Sequence, residues 1–219
     1  MKRGIFISFE GTEGSGKSTQ MKLLVERLRA TACEVVENQE PGGTSIGKQI
    51  RRILLDPANS EMAPMAELLL MFASRAQAAA EVIVPALHRG AIVVSDRFTD
   101  STLAYQGCAR GIGFETVRAA HQLAVGSLLP NLTICIDIDI ETGLARAHSR
   151  NIRKSNHAPG DASETRIDQQ SLNFHRRVGA GYHEIAALEP ARFRLVNGEG
   201  SVEAVAERVW SEVRPILPV

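Results

Sequence analysis

The chain has 219 residues, of which 44% are hydrophobic, and its 25 Lys and Arg residues are balanced by 25 Asp and Glu residues. This length and apolar content suit one domain spanning residues 1–219, and a formal net charge of zero excludes a strong overall attraction to nucleic acid or to an anionic membrane. The three cysteines, Cys33, Cys108 and Cys135, are widely spaced without a CxxC pair, which excludes a disulfide scaffold and predicts buried free thiols.

Apolar runs alternate with helical periodicity along the first half of the chain. In chain order, the pattern predicts a strand over residues 5–9, a helix over 17–31, a short strand over 34–37, a helix over 45–55, a long helix over 64–88 and a strand over 91–95. Ser45 is the expected N-cap of the second helix. Pro85 is expected to kink the long helix or to end it early.

The second half continues the alternation. The pattern predicts a helix over residues 114–125, a strand over 132–138, helices over 141–150 and 164–188, a strand over 192–196 and a last helix over 202–213. The polar stretch 151–163, rich in Asn, Ser, Pro, Gly and Asp, predicts a flexible loop. Regular alternation of strand and helix predicts an α/β fold with a five-stranded parallel sheet covered by helices on both faces.

A glycine-rich turn between the first strand and the first helix matches the pattern G-x-x-x-x-G-K-[ST]; we call it the phosphate loop, residues Gly11 to Ser18. Its glycines let several backbone N–H groups face one anion, and the helix N-terminus adds partial positive charge. Lys17 is expected to reach the β- and γ-phosphates of ATP, and Ser18 to bind Mg²⁺. The predicted ATP-binding residues are Gly11, Thr12, Glu13, Gly14, Ser15, Gly16, Lys17, Ser18 and Thr19.

The phosphate loop alone fits an ATPase, a GTPase or a kinase. The sequence lacks the N-K-x-D guanine-binding pattern and is short for a motor ATPase, so a small-molecule kinase is favoured. Asp96 and Arg97 follow a buried strand, at the sheet edge where α/β proteins bind ligands. Asp96 is expected to join Ser18 in the metal shell, and Arg97 to hold an acceptor phosphate through two hydrogen bonds.

Three segments together resemble bacterial thymidylate kinases: Asp96 to Gly107 (D-R-F-x-D-S-x-x-A-Y-Q-G), G-x-E-G-x-G-K-S-T in the phosphate loop, and E-P-G-G-T from Glu40. The resemblance extends over nearly the whole chain. It implies a P-loop NTPase fold, a mobile lid at about 146–166, a homodimer, and transfer of the ATP γ-phosphoryl group to dTMP, which gives dTDP and ADP.

The resemblance also assigns the dTMP site. It implies that Glu13 contacts the 3′-hydroxyl, that Arg97 and Arg51 hold the phosphate, that Tyr105 crowds the 2′ position of the sugar and that Arg75 reads a thymine carbonyl. Met71 stands where the family usually has a stacking Phe, and Phe72 follows it. Ser101 and Gln106 are expected to line the phosphate and base ends, and Gln39 replaces the Arg that usually precedes E-P-G-G-T.

Basic residues gather around the predicted lid. The transition state of phosphoryl transfer spreads negative charge over oxygens, and the phosphate loop offers one cation, Lys17. Arg146 and Arg150 share a helix face and match lid arginines of the family, with Arg146 also expected to contact ATP. Further basic candidates are Arg153, Lys154 and Arg166, while His148 and Thr165 depart from the family pattern. The predicted catalytic residues are therefore Lys17, Arg97, Arg146 and Arg150.

Two alternatives remain open from the residues alone: a kinase for another nucleoside monophosphate, and a nucleotide-binding regulator without turnover. Arg75 and the Tyr105-Gln106 pair favour a pyrimidine deoxynucleotide. No signal-peptide pattern occurs, and no uninterrupted apolar run approaches the roughly 20 residues that cross a bilayer. We therefore expect a cytoplasmic enzyme whose partners are dTMP, ATP and Mg²⁺, without a membrane or nucleic-acid partner.

Overall fold

The computed structural model describes residues 4–157 and 165–217, with side chains for residues 4–149 and 165–217. It contains one five-stranded parallel sheet. The strands are β1 (Ile5–Glu10), β2 (Val35–Gln39), β3 (Ile92–Asp96), β4 (Leu132–Asp137) and β5 (Phe193–Asn197). Their order in the sheet is β2-β3-β1-β4-β5, so the central strand is the one that leads into the phosphate loop. The predicted parallel sheet is confirmed.

Nine α-helices connect and cover the strands in the described part of the chain. They are α1 (Lys17–Arg29), α2 (Ser45–Leu55), α3 (Pro64–Ala78), α4 (Val84–His88), α5 (Thr99–Thr102), α6 (Phe114–Val125), α7 (Ile140–His157), α8 (Leu172–Leu188) and α9 (Val202–Val213). Short 3₁₀ turns cover Pro57–Asn59 and Arg214–Ile216. The bounds predicted for α6 and α9 are confirmed to the residue.

The sequence analysis was wrong about the cap of α2 and about an early end of the long helix at Pro85. Thr44, in extended backbone conformation, is the N-cap, because its Oγ1 accepts the Gly47 N–H at 2.9 Å, and Ser45 is the first helical residue. Pro85 does not end the long helix. The chain stays helical from Pro64 to His88 through a π-helical turn, Ala79–Ile83, which comes directly before the turn that holds the proline.

The bounds near the predicted lid also needed correction. Residues 151–157, predicted as loop, continue α7, and the sequence has no proline or glycine before Pro159 to stop the helix. The helix predicted from residue 164 begins only at Leu172, because Ser171 caps it by accepting the Phe174 N–H at 3.2 Å. The rest of the predicted loop, and residues 158–164 of the predicted lid, lie outside the described residues.

The segment that follows Arg97 is helical, and the sequence analysis predicted no element there. After Arg97 the chain forms α5 and then a π-helical segment, Leu103–Ala109, which packs closely against α8. These turns carry Ser101, Tyr105 and Gln106 into the interior. The predicted dTMP residues of this region therefore belong to a buried helical segment.

Apolar side chains fill both faces of the sheet. One cluster joins α1 and α9 to the sheet and includes Ile7, Phe9 and Leu24; another joins α3, α6 and α8 and includes Phe72 and Tyr182. All three cysteines are free thiols, as predicted, but only Cys135 is buried, while Cys33 and Cys108 are partly exposed.

The Pro64–His88 helix is long and apolar enough to cross a membrane by length and composition, with a mean hydropathy of 1.3. Core helices meet the same criteria. Glu67 and Arg75 on this helix are 0% and 1% exposed and form ion pairs within the domain. Their pairing identifies the helix as part of the domain core.

Candidate active site

The phosphate loop leaves β1 and turns through three glycines whose φ angles are positive: 136° at Gly11, 70° at Gly14 and 95° at Gly16. Gly14 also approaches the backbone of α7 so closely that a Cβ there would collide with the Gly143 carbonyl. Lys17 Nζ donates to the Thr12 carbonyl at 3.4 Å. This geometry forms a concave set of backbone groups with one ammonium beside it, which suits a polyphosphate.

Ser18, in the first turn of α1, meets Asp96 at the end of β3. Ser18 Oγ donates to Asp96 Oδ2 at 3.4 Å, and Ser18 itself is exposed. A hydroxyl and a carboxylate are the hard oxygen ligands that Mg²⁺ prefers. The described residues contain no cluster of three or more His, Cys, Asp or Glu side chains able to hold a metal by themselves. The pair therefore fits a cation that takes its other ligands from a bound nucleotide.

Arg97 is the centre of a buried group that we call the acceptor cluster: Glu10, Glu13, Arg97, Tyr105 and Tyr182. Arg97 Nη2 donates to Glu13 Oε1 at 3.2 Å and to the Tyr105 hydroxyl at 2.9 Å, and Nη1 donates to the Tyr182 hydroxyl at 2.9 Å. Its backbone has a φ of 70°, which is rare for a side chain of this size. The surrounding contacts hold this strained conformation, which aims the guanidinium at the phosphate loop.

The two acids of the acceptor cluster behave differently. Burial raises the pKa of Glu10 to about 7, against the lowering effect of the Arg97 charge. Burial also raises the pKa of Glu13, but the contact with His175 and the charge of Arg97 outweigh it and hold that pKa at about 2. Glu13 is therefore an ionised hydrogen-bond acceptor at neutral pH, oriented by the Tyr105 hydroxyl at 2.7 Å from Oε1.

Arg75 and Glu40 form a second buried pair beside the acceptor cluster. Arg75 Nε donates to Glu40 Oε2 at 2.6 Å, and Nη2 donates to the Phe98 carbonyl at 3.0 Å. Arg75 Nη1 and Glu40 Oε1 are buried without a hydrogen-bond partner among the described residues. Burying a polar atom without a hydrogen-bond partner costs free energy unless a ligand supplies the partner. The pair therefore offers one donor and one acceptor to a polar ring.

The other predicted dTMP residues lie around these two groups. Phe72 is buried in the core, with its ring edge towards His121 and the Arg75 guanidinium 4.8 Å from its centre, whereas Met71 is only partly buried. Arg51 Nη1 donates to the Pro41 carbonyl at 2.9 Å. Ser101 Oγ donates to the Phe98 carbonyl at 2.7 Å.

Gln106 belongs to a buried ion-pair group that sequence reasoning missed, the Glu67 cluster: Glu67, Gln106, Arg110 and Arg166. Glu67 accepts hydrogen bonds from Gln106 Nε2 at 2.8 Å, from Arg110 Nη2 at 3.1 Å and from Arg166 Nη2 at 2.6 Å. Arg166, one of the basic lid candidates, is 3% exposed and also bonds the Leu54 carbonyl. It is therefore held in the core next to residues of the predicted dTMP site.

Three further residues around the site were missed: Glu10, Tyr182 and His175. Tyr182 donates to Glu10 Oε2 at 3.0 Å, and His175 Nδ1 lies 3.3 Å from Glu13 Oε2. The sequence contained one signal for each of the two elements that carry these residues, β1 and α8. Glu10 is an acid at the end of a strand that is otherwise apolar except for Ser8, and α8 carries His and Tyr on a face whose spacing predicts burial.

Among the predicted lid residues, Arg146 is exposed on α7, one residue before Ala147, which packs against the phosphate loop at Gly14. The side chains of Arg150, Arg153 and Lys154 lie outside the described residues. The structure thus brings the base of the predicted lid next to the phosphate loop.

Comparison with known proteins adds independent findings. A sequence model of the family described as thymidylate kinase matches residues 9–209. The thymidylate kinase of Pelobacter propionicus is 50% identical over 210 residues, which cover 96% of this chain and 94% of that protein. The thymidylate kinase of Geobacter sulfurreducens is 48% identical over 207 residues, covering 94% of each chain. The crystal structure of thymidylate kinase from Ehrlichia chaffeensis is similar with a TM-score of 0.76 at 29% identity, covering 97% of this chain and 99% of that one.

Proposed function

The chain belongs to the thymidylate kinase family, and on that premise we propose that it transfers the γ-phosphoryl group of ATP to dTMP, giving dTDP and ADP, a step in dTTP synthesis. One observation carries the proposal beyond the family match. Glu13 of the phosphate loop bonds Arg97 directly, at 3.2 Å between Oε1 and Nη2. A triphosphate on the loop and a monophosphate on Arg97 would therefore be neighbours, as in-line transfer requires.

On the donor side, the backbone N–H groups of the phosphate loop and the hydroxyl of Thr19 bind the ATP phosphates. Lys17 neutralises the β- and γ-phosphates. Burial and the nearby Arg97 charge lower the pKa of Lys17, while Asp96 and Glu13 oppose that effect. A cation already short of solvent gains more from an incoming phosphate, so the ammonium is well suited to this role.

Ser18 and Asp96 fit Mg²⁺ and would hold it through their oxygens. When bound, Mg²⁺ neutralises charge on the β- and γ-phosphate oxygens. Asp96 also orders the acceptor side, since its carbonyl accepts the Glu40 N–H at 2.9 Å. One strand end thus ties the predicted metal pair to the Arg75–Glu40 pair.

On the acceptor side, Arg97 exchanges its contacts with Glu13 and Tyr105 for the dTMP phosphate, with Arg51 as a second cation. Glu13 then accepts a hydrogen bond from the 3′-hydroxyl, because its low pKa keeps it ionised. Tyr105 is 6% exposed and packs against the sugar, where a 2′-hydroxyl would collide. Replacing Tyr105 by Ala should therefore admit ribonucleotides, whereas Tyr105→Phe should leave dTMP usable.

The base lies against the Arg75–Glu40 pair. Arg75 Nη1 donates to a thymine carbonyl, which satisfies an otherwise unpaired buried N–H. Met71, which is partly buried, covers the ring face, while Phe72 supports Arg75 from below. Ser101 and Gln106 shape the two ends of the pocket from the helical segment after Arg97.

Arg146 and Arg150 supply charge for the transition state from the lid side. Support comes from the packing of α7: a Cβ at Gly143 would lie 2.5 Å from the Glu13 carbonyl, so the helix starts directly on the phosphate loop. Arg146 lies within the next turn. A positioned arginine of this kind is worth about 10³–10⁵ in rate.

A coupled ADP-release assay with dTMP, dUMP, dCMP and GMP tests the proposal. We expect turnover with dTMP to exceed that with each other acceptor by at least about 10-fold in kcat/KM. Faster turnover with another monophosphate would reassign the acceptor. Absence of ADP release with every acceptor would indicate a nucleotide-binding regulator instead.

We also propose a homodimer in the cytoplasm, with small-molecule partners only. Helix α3 packs against both α2 and α6, and these helices leave apolar side chains exposed: Ile46, Ile53, Met65, Leu69 and Leu123. Leu123 is 90% exposed and Leu69 is 57% exposed. Sedimentation should give a dimer that Leu69→Glu and Leu123→Glu dissociate, while Leu188→Glu on α8, 55% exposed, leaves it intact. A monomeric wild type would contradict the proposal.

A further inference from the structure

His175 lies beneath the acceptor cluster and has no role in the mechanism above. Its side chain is 0% exposed, and Nδ1 lies 3.3 Å from Glu13 Oε2. Neither ring nitrogen has a hydrogen-bond partner of good geometry among the described residues, and the approach of Nδ1 to Glu13 is the one polar contact within reach. Burying an imidazole without hydrogen-bond partners costs free energy of folding. Of the polar groups that the structure describes, the nearby carboxylate is the one that can offset this cost, which suggests that the contact has a function.

Glu13 has two other hydrogen-bond partners, Arg97 and Tyr105. Arg97 Nη2 bonds Oε1 at 3.2 Å, and the Tyr105 hydroxyl reaches Oε1 at 2.7 Å and Oε2 at 2.8 Å. When a phosphate draws Arg97 away, one of these bonds is lost. His175, by contrast, belongs to the buried face of α8 and packs edge-on against Phe174 at 5.5 Å between ring centres, so it stays in place.

We propose that His175 is a positioning residue for recognition of the acceptor sugar: its Nδ1–H anchors Glu13 Oε2 and keeps the carboxylate aimed at the sugar hydroxyl after Arg97 has turned to the phosphate. This rests on the proposed function, in which Glu13 accepts from the 3′-hydroxyl of dTMP. The inference concerns a donor that no substrate contacts, on an element distant in sequence from the phosphate loop.

The test compares dTMP with its 3′-deoxy analogue, 3′-deoxythymidine monophosphate, as acceptors for three proteins. His175→Phe removes the donor while keeping a flat ring, and His175→Asn keeps an N–H near the position of Nδ1. We expect His175→Phe to raise KM for dTMP about 10-fold, with little change for the 3′-deoxy analogue and with recovery in His175→Asn. The matched control is His183→Phe, also on α8 but 56% exposed, which should change neither acceptor.

Each outcome of this test either supports the proposed role of His175 or overturns it. An equal loss with both acceptors, or no loss with either, overturns the positioning role, because a purely structural effect would not depend on the 3′-hydroxyl. If wild type itself uses both acceptors equally well, the Glu13 assignment within the proposed function fails, and the inference about His175 fails with it. If His175→Phe does not fold, the same ratio measured for His175→Asn against His175→Ala replaces it.

Discussion

The acceptor cluster and the phosphate loop meet at Glu13, but they differ in how firmly their groups are held before a ligand binds. Arg97 makes three hydrogen bonds of 2.9–3.2 Å to Glu13, Tyr105 and Tyr182. Lys17 and Ser18 make long hydrogen bonds, each 3.4 Å, and Ser18 is exposed. The acceptor residues are thus held in place by one another before dTMP binds, although Arg97 must exchange two of these bonds for the phosphate, whereas the donor site is completed by the nucleotide and its metal.

This difference separates two kinds of variant. Lys17 and Ser18 make only long hydrogen bonds in the folded state, so their loss should affect turnover more than stability. Residues of the acceptor side hold one another in the core, so their loss should affect both stability and acceptor binding. The comparison can be tested by measuring kcat, KM and unfolding free energy on the same set of proteins.

Lys17→Ala should have the largest effect. Removal of the ammonium leaves the β- and γ-phosphates short of positive charge, so kcat should fall by about 10³-fold or more. The thermal midpoint should change by less than about 2 °C, since the side chain is partly exposed and makes one long hydrogen bond of 3.4 Å. Lys22→Ala, on the same helix with 78% of its side chain exposed, is the control. A near-normal kcat would contradict the donor assignment.

Arg75→Met tests the expectation that residues on the acceptor side contribute to the stability of the fold. The change keeps apolar volume but leaves Glu40 buried without its ion-pair partner, which should cost about 3 kcal/mol of unfolding free energy. Denaturant unfolding measures it. Combining it with Glu40→Gln should recover part of the loss, since the uncompensated charge is then absent. A loss below about 1 kcal/mol would show that this pair does not hold the pocket.

The same difference explains what the sequence could reveal. The phosphate loop is a local pattern, eight consecutive residues between a strand and a helix, and alternating periodicity was enough to predict the parallel sheet around it. The Arg75–Glu40 pair joins residues 35 apart, and Tyr182 meets Glu10 across 172 residues. No local propensity encodes such contacts, because they depend on how α3 and α8 pack on the sheet. Ser171 moved the start of α8, and Thr44 replaced Ser45 as the cap of α2, for a related reason, since a cap depends on the backbone angle at one residue.

Glu10→Gln tests the comparison through the pH dependence of the unfolding free energy. The pKa of Glu10 is about 7 in the folded protein against an ordinary value of 4.5, so between these values the folded state keeps a proton that the unfolded state has released. Glu10 therefore makes unfolding free energy fall as pH rises through this window, by up to about 1.4 kcal/mol per pH unit. Glu13, with a pKa of about 2, acts in the opposite direction below pH 4.5.

Urea unfolding at pH 5, 6 and 7 measures the effect. Glu10→Gln should remove the downward contribution, because glutamine does not titrate, and leave the upward contribution of His121, whose pKa burial lowers to about 4; the exposed Glu61→Gln should keep both. Equal slopes in wild type and Glu10→Gln would mean that Glu10 is ionised throughout this pH range. The Arg97 charge would then lower the pKa of Glu10 by more than burial raises it.

Tyr182→Phe should give the smallest effect and the most specific one. The Tyr182 hydroxyl accepts from Arg97 Nη1 at 2.9 Å and donates to Glu10 Oε2 at 3.0 Å, so its removal loosens Arg97 without touching the phosphate loop. We expect KM for dTMP to rise about 5-fold while KM for ATP stays constant, with about 1 kcal/mol lost in unfolding free energy. Initial rates over a grid of dTMP and ATP concentrations separate the two constants. A matching rise in KM for ATP would mean that the two sites are ordered together, and that the acceptor pocket is not preorganised independently of the donor site.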